Sequence, residues 1–300
     1  MSNLTIKLTM NTTLQKLLTN VPVITDGAWG THLREYGLKP GECPDAWNII
    51  HPQKVESLAR SYVDAGSKII LTNTFRANRL SLRTYGLDDQ VIKINRAGVE
   101  IARRAAEGNA MVFGSMGHTG KLLSKREIEE SKLYQIFSEQ AQTLAGTGVD
   151  GIVIESMTDL VEAKIALKAA KDTGLPVAVS MIFDSGREKD MTMMGDSPEQ
   201  AAIELTSAGA DIIGANCGLG IEGYIPICRR LRSSTNKPIW IKPSAGLPKV
   251  ISTKVVFSTT PEIFLQYSKV LCKIGASFIG GCCGTNPEYI RLLSKMVNKK

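Results

Sequence analysis

The chain of 300 residues predicts an α/β fold, a single (β/α)8 TIM barrel with its active site at the C-terminal rim of the strands. Three observations predict it. A helical pattern that ends in Gly and is followed by a short β-branched run occurs four times, at Gly66, Gly148, Gly209 and Gly275. Four further apolar runs fall between these, and no Pro/Gly-rich linker divides the chain. Eight strands alternating with helical segments in a chain of this length fit a closed parallel barrel; a doubly wound open sheet is the alternative architecture.

Taken in order, "VPVIT" from Val21 is the first strand, and the long connection "HLREYGLKPGECPDAWNIIHP" elaborates the first βα unit. "KVESLARSYVDAG" is a helix stopped by Gly66, and Ile69-Ile70-Leu71 is the second strand. "AMVFGS" from Ala110 is the third, and Gly148 precedes the fourth at Ile152-Val153-Ile154. "PVAVSM" from Pro176 is the fifth, Gly209 precedes the sixth at Ile212-Ile213, "PIWIK" from Pro238 is the seventh, and Gly275 precedes the eighth at Phe278-Ile279. A glycine after the last helical turn takes the left-handed conformation that ends a helix. The short, unbroken apolar runs are those of strands covered on both faces, as in a parallel sheet. Residues 13–300 are read as the barrel and residues 1–12, polar and rich in Asn and Thr, as a flexible N-terminal segment.

Composition excludes several functions. With 43% hydrophobic and 22% charged residues the chain has material for a large core. No apolar run approaches the roughly 18 residues of a membrane helix, and the N-terminus lacks the apolar stretch of a secretory signal, so a cytoplasmic protein without a membrane partner is expected. The net charge of +7 is spread singly along helical patterns without a finger, basic-region or RNA-binding motif, so no nucleic-acid partner is expected. Six cysteines are too few and too unevenly spaced for a disulfide scaffold in a chain of this length.

The repeated glycine also sets a register. Seven residues beyond each come Asn73, Glu155, Asn216 and Cys282; eight beyond come Thr74, Ser156, Cys217 and Cys283. These positions fall at the C-terminal ends of strands, the rim on which such barrels carry their chemistry. Cys217 ends the sixth strand and the Cys282-Cys283 pair ends the eighth, with one strand between, so three thiols can meet at one mouth. Three thiolates make a soft, negative site suited to zinc, and no nearby His supplies a fourth ligand: His32, His51 and His118 lie on three different loops. Three protein ligands with an open fourth position is the pattern of a catalytic metal. The glycines of "FIGGCCGT" allow the backbone to bend so that two adjacent sulfurs face one ion. Inert packing of the thiols and a dithiol redox pair are the competing readings; Cys43, Cys228 and Cys272 are read as packing residues. A single ion requires all three sulfurs within about 5 Å of one another.

"DGAWGT" after the first strand, "TNTF" after the second, "GHTGKLL", "IES" after the fourth, "GANCGLG" after the sixth and "GGCCGT" after the eighth together resemble the homocysteine S-methyltransferase family, from about Pro22 to Leu293. That family includes the homocysteine-binding module of cobalamin-dependent methionine synthase, betaine–homocysteine methyltransferase and the S-methylmethionine-using enzymes. The resemblance implies one Zn2+ per chain held by Cys217, Cys282 and Cys283, with the substrate sulfur at the fourth position as the attacking thiolate and no separate protein base. It further implies that Asp26 and Glu155 meet the ammonium of homocysteine and that backbone N–H groups near Gly27 meet its carboxylate. Asn73 and Thr74 are candidates for lining the substrate, Asn216 for supporting a metal ligand, and Trp29 for covering the pocket. Asp26 read on its own is also a candidate helix N-cap.

Two motifs depart from the family pattern. Where the methionine synthase-like members carry P-N-A-G after the seventh strand, this chain has Pro243-Ser244-Ala245-Gly246 preceded by Lys242; where G-P-T-G is common, it has Gly117-His118-Thr119-Gly120. Both bear on the identity of acceptor and donor. Homocysteine or a similar thiol is the expected acceptor. The methyl donor is either a small methylated sulfonium or ammonium compound or a separate corrinoid protein, to whose docking Lys121, Lys242 and Lys249 on rim loops would contribute. A corrinoid-fed transfer to a different acceptor and a structural zinc barrel are the alternatives to homocysteine methylation. A Schiff-base aldolase would need a strand-end lysine, for which Lys242 is the candidate.

Overall fold

In the computed structural model, whose described residues are 12–121, 127–251 and 254–297, each of the four register glycines takes positive φ, from 96° at Gly209 to 125° at Gly275. Each therefore ends its helix as the sequence predicts. The strands that follow are β1 (Val23–Ile24), β2 (Ile69–Leu71), β3 (Met111–Met116), β4 (Gly151–Met157), β5 (Val177–Met181), β6 (Ile212–Cys217), β7 (Ile239–Pro243), the short β8 (Pro248–Ile251) and β9 (Lys254–Phe257), and β10 (Ala276–Ile279). Eight of them pair in parallel in the order β1-β10-β7-β6-β5-β4-β3-β2. The sheet closes where Thr25 bridges Ile69 and the Lys68 amide donates to the Ile24 carbonyl at 2.7 Å. The fold is a single (β/α)8 barrel, and the open-sheet alternative falls with that closure.

Alternation along each strand separates two cores. Outward residues, among them Ile70, Val112, Ile152, Val179, Ile213 and Ile241, pack under the helices. Inward residues Val23, Ile69, Leu71, Phe113, Val153, Ala178, Ile212, Trp240 and Phe278 form a separate apolar cluster within the barrel. Trp240 sits at its centre, its ring 6.4 Å from Phe113 and 5.2 Å from Phe278. Leu14 and Leu17 of the helix Thr12–Leu18 join this cluster. One inward step higher, the same strands present Ser115, Glu155, Ser180 and Lys242, and on β6 Asn216 stands two steps above Ile212, beyond Gly214. The lumen thus changes from an apolar plug to a polar floor over one or two inward steps.

The long first connection folds into two short helices, Gly30–Glu35 and Trp47–Ile50. An antiparallel hairpin, β8 with β9, sits between β7 and the helix Pro261–Ile274 and has no counterpart in the sequence reading. Residues 1–11 of the expected N-terminal segment lie outside the described residues. Among the described residues, no helix is long and apolar enough to cross a membrane.

Candidate active site

Three chain segments deliver the thiols. Cys217 ends β6 with φ of 67°, a left-handed conformation that costs a non-glycine residue on the order of 1 kcal/mol. Its carbonyl accepts from the Tyr224 hydroxyl and the Ser244 amide, both at 3.0 Å, and this holds the turn against relaxation. The loop carrying Cys282 and Cys283 is pinned between strand ends: the Gly281 amide donates to the Asp26 carbonyl at 3.0 Å, the Cys282 amide to the Pro243 carbonyl at 2.8 Å, and the Ala245 amide to the Cys283 carbonyl at 2.8 Å. A Cβ on Gly280 would stand 2.0 Å from Thr25 Oγ1, and one on Gly281 would stand 2.2 Å from Thr285 Oγ1. Both glycines are required by close approach, so the loop can lie directly against β1.

The result is a cluster in which the three sulfurs lie within 4.8 Å of one another, with Cys217 Sγ and Cys283 Sγ 3.8 Å apart. Sulfurs bound tetrahedrally to one zinc at about 2.3 Å stand about 3.8 Å from each other, so the spacing fits a single ion. The donor set also asks for a cation. Hydrogen bonds from Cys217 and Cys282 hold the Cys283 thiol down to about 3, whereas its neighbours push the Cys217 thiol far above its usual range. The trio shares protons as one unit, and a divalent cation in their place would let all three ionise. The other three thiols lie elsewhere. Cys228 is fully buried under the helices, and Cys272 is half-buried on the helix Pro261–Ile274. Cys43 is buried beside Asp45 and pushed up to about 11, first by burial and then by that carboxylate.

Asn216 links the cluster to the lumen. Its carboxamide oxygen accepts from the Ser156 amide at 2.8 Å and the Ser180 hydroxyl at 2.7 Å. Its Nδ2 donates to Ser156 Oγ at 2.7 Å and approaches Cys282 Sγ at 3.9 Å. Glu155 lines the same floor, half-buried, accepting from Ser115 Oγ at 2.6 Å. Burial pushes its carboxyl up to about 7, opposed by Lys242 and reinforced by Cys282 and Asp26.

Asp26 is fully buried, and the chain itself occupies its oxygens: Oδ2 accepts from the Leu71 amide and the Trp29 indole, both at 2.8 Å, and Oδ1 pairs with the Lys242 ammonium. It does not cap a helix; the helix Gly30–Glu35 begins after Trp29. Trp29 is therefore a donor to Asp26 as well as a neighbour of the mouth. Gly27 passes so close to Tyr62 that a Cβ would meet its ring at 2.7 Å. Lys242, expected on an exposed rim loop, is instead 2% exposed and faces into the barrel, because β7 continues through it to Pro243. A buried, ion-paired ammonium has no part in docking a partner protein. Lys121 and Lys249 are exposed.

Asn73 and Thr74 turn their polar atoms into the chain. Asn73 Nδ2 donates to the Pro44 carbonyl at 2.8 Å and to Asn48 Oδ1 at 3.0 Å, tying the first long connection to β2. Thr74 Oγ1 donates to the Ser115 carbonyl at 2.7 Å and meets Thr72 Oγ1 at 2.6 Å, fully buried. Of the two departures from the family pattern, Ser244 donates to the Gly218 carbonyl at 2.7 Å beside the thiols. The loop after His118 is held by Glu162, which accepts from both the amide and the hydroxyl of Thr119 at 2.7 Å. Beside the cluster a cavity of about 500 Å³ opens between Thr31, His32, Val255, Phe257 and Gly284. A larger one, about 640 Å³, lies at the opposite end of the strands around Leu17, Lys68 and Met111, away from the thiols.

A family model described as homocysteine S-methyltransferase matches residues 23–297, the whole barrel with the three clustered cysteines at its rim. The chain belongs to the homocysteine S-methyltransferase family. Methionine synthase of Mycobacterium leprae is 28% identical over 306 aligned positions, which cover 96% of this chain and 25% of that protein. Betaine–homocysteine S-methyltransferase 1 of Danio rerio is 30% identical, over 94% of this chain and 74% of that one. The chain thus spans a quarter of the length of one relative and three quarters of the other. In fold it is similar to the metallated homocysteine methyltransferase MmuM of Escherichia coli, with a TM-score of 0.80 at 20% identity over 95% of this chain and 99% of that one.

Proposed function

We propose that this protein is a zinc-dependent S-methyltransferase that methylates a thiol, with homocysteine as the acceptor and Cys217, Cys282 and Cys283 as the zinc ligands. The observation that carries this reading is the meeting of three sulfurs, within 4.8 Å of one another, at the top of a polar lumen. Bound by these cysteines, zinc supplies the positive charge that keeps an incoming thiol deprotonated at neutral pH.

The chain's own groups do the rest. Asn216, fixed by Ser156 and Ser180, sets the direction of the Cys282 sulfur. The tight loop through Gly280 and Gly281 holds the pair of thiols against β1 and prevents their retreat. Among the described residues Glu155 accepts through one oxygen, from Ser115, and its other oxygen is assigned to an acceptor's ammonium, since Asp26 is held by the chain. Binding a cation beside Glu155 draws its carboxyl back toward the ionised form. The apolar plug of Phe113, Trp240 and Phe278 closes the lumen beneath the acceptor, so the methyl donor must come from the rim. In the transfer the acceptor sulfur forms a bond to the methyl carbon, the bond from that carbon to the donor breaks, and its electron pair leaves with the donor.

Two donor classes suit this geometry: a small methylated onium compound entering at the mouth, or a separate corrinoid protein presenting its methyl group there. Cobalt(II) in place of zinc gives the test. Homocysteine should change the absorption of the cobalt protein, and methionine should form when the correct donor is added. An unchanged spectrum with homocysteine and with other thiols would instead fit a structural metal site.

A further inference from the structure

The larger of the two cavities has no part in the site at the rim. About 640 Å³ in volume, it lies at the N-terminal ends of β1, β2 and β3, with the apolar plug between it and the three thiols. That volume is inside the roughly 300–1,000 Å³ range of small-ligand sites. Its position follows from the first helix. Thr12–Leu18 sets Leu14 and Leu17 on the plug from below, but at 7 residues it is too short to cover the whole base of the barrel. A hollow is left between this helix, the chain entering β2 and β3, and the last turns of the helix Pro287–Val297. Gly66 makes the wall possible: a Cβ there would stand 2.2 Å from Ser294 Oγ, so only glycine lets that helix lie against the entry to β2.

The lining divides by chemistry. Leu17, Val23 and Met111 give it an apolar floor, which is the underside of the plug itself. The charged side chains are Lys16, Lys68 and Arg103 against one carboxylate, Asp150. That carboxylate is already occupied, since Oδ2 accepts from Arg103 Nη1 at 2.8 Å and from the Val112 amide at 2.7 Å. Arg103 is committed too: Nε donates at 2.8 Å to the carbonyl of Gly148, the residue that caps the helix Glu130–Thr147, and so answers the partial negative charge of that helix end. The two lysines do neither. Lys164 and Lys171, on the outer helices, each find a carboxylate, in Glu204 and Asp211. Among the described residues Lys16 and Lys68 have no ion-pair or hydrogen-bond partner for their ammonium groups, and the Ser294 hydroxyl beside them has none either. Two unmatched cations and a hydroxyl therefore face a hollow whose one acid is taken, above a surface that favours an apolar group.

We propose that this cavity is a binding site, separate from the thiol-bearing rim, for a small organic anion with an apolar body. The ligand class is a carboxylate or a phosphate ester, its head met by Lys16 and Lys68 and its tail laid on Leu17, Val23 and Met111. Charge-assisted hydrogen bonds select the head, and each methylene of the tail that leaves water adds about fourfold in affinity. The inference is independent of the reading of the three cysteines, with which it shares no residue.

Calorimetric titration of the full-length, zinc-loaded protein with four probes tests it. Hexanoate and hexyl phosphate share a tail and differ in head, hexylamine reverses the charge, and inorganic phosphate lacks the tail. One or both tailed anions should bind saturably at one per chain, and the tighter of them identifies the head. Hexylamine and inorganic phosphate should bind at least tenfold more weakly than that anion. Lys16→Met combined with Lys68→Met should cost the anion at least tenfold and leave hexylamine unchanged or tighter. Both lysines are exposed, so the double variant should fold; Lys16→Gln with Lys68→Gln replaces it if the methionines cause aggregation. Cys217→Ser should bind the anion as the parent does. No saturable binding of either anion, hexylamine binding as tightly as the anions, or anion binding that survives loss of both lysines would overturn the inference. Anion binding lost in Cys217→Ser would overturn it as well, by putting the anion on the rim metal and leaving the metal-site reading intact.

Discussion

Two layers of the barrel lumen, one or two inward steps apart along each strand, do opposite things. In the lower layer Phe113, Val153, Ala178, Ile212, Trp240 and Phe278 fill the interior with apolar side chains. In the upper layer the same strands carry Ser115, Glu155, Ser180, Asn216 and Lys242, tied together by hydrogen bonds and finished by three thiols. The lower layer is held by burial alone, and each of its large side chains contributes roughly 1.5–3 kcal/mol by leaving water. The upper layer gathers charge and leaves valences open: a lysine with free donors, a carboxyl pushed up to about 7, and thiols that hold each other's protons. Stability belongs to one layer and chemistry to the other, and a substitution in either should damage its own property first.

The largest effect expected is from the thiols. Cys217→Ser, Cys282→Ser or Cys283→Ser should each reduce bound zinc from one per chain to background and abolish methyl transfer, while urea unfolding of the metal-free protein moves by less than about 1 kcal/mol. Metal analysis paired with denaturation checks both halves. A serine variant that keeps its zinc would break the assignment of that residue.

Trp240→Ala is the converse. Removing the central side chain of the plug should cost about 3–5 kcal/mol of stability, because the ring is fully buried between Phe113 and Phe278 and the barrel cannot collapse into the space. Zinc stoichiometry of the folded fraction should be unchanged. If Trp240→Ala lost metal as readily as stability, the two layers would be one cooperative unit and the comparison would fail.

Both layers were partly legible in the sequence, and the reason is periodicity. The glycine register placed Glu155, Asn216 and Cys282 at strand ends because a helix stop and a buried strand each have a fixed length. The same alternation was available for Lys242: in "PIWIK" the residues Trp240 and Lys242 point one way and Ile239 and Ile241 the other, so a lysine two places above a buried Trp is itself a lumen residue. Its partner could not be read, since Asp26 lies 216 positions away and ion pairing leaves no periodic trace. Asn73 met the register and yet turned its amide to Pro44 and Asn48, because the path of the long first connection is set by packing. The β8–β9 hairpin escaped for a related reason: its strands are four residues each and no helix precedes them to mark their start.

A smaller effect sharpens the contrast through pH. Glu155 faces Lys242, Asp26, Cys282 and the Ser115 hydroxyl, and its carboxyl is pushed up to about 7 from an ordinary value of 4.5. Between those values the folded protein holds a proton that the unfolded chain has released, so this carboxyl's own contribution to the stability of the metal-free protein, read as the parent minus Glu155→Gln, should fall as pH rises from 4.5 to 7 and then level off. Because Glu155 is half-buried and reached by water, the loss should be on the order of 1–2 kcal/mol. Relative to the parent, Glu155→Gln should be more stable at pH 8 than at pH 5, while raising the KM for homocysteine. Denaturation of both proteins at pH 5 and pH 8 reads the first outcome and steady-state kinetics the second; a parent-minus-variant difference that rises over this interval would mean that the folded state favours the carboxylate.

The smallest effect concerns a thiol that belongs to neither layer. Cys228 is as buried as any lumen residue, but it sits on the helix Tyr224–Ser234 facing the outer core, among apolar neighbours, with its thiol pushed up to about 12 by burial and by Cys272. A thiol that stays protonated there is neither a ligand nor a nucleophile; it fills space. Cys228→Ala should therefore cost about 1 kcal/mol, the loss of one small buried group, with zinc content and turnover equal to the parent. The comparison with Cys217 isolates position from chemistry, since the two residues are identical and eleven places apart on one βα unit. If both substitutions lowered zinc alike, the metal would be held by something other than the rim, and the division of the barrel into a structural and a chemical layer would have to be redrawn.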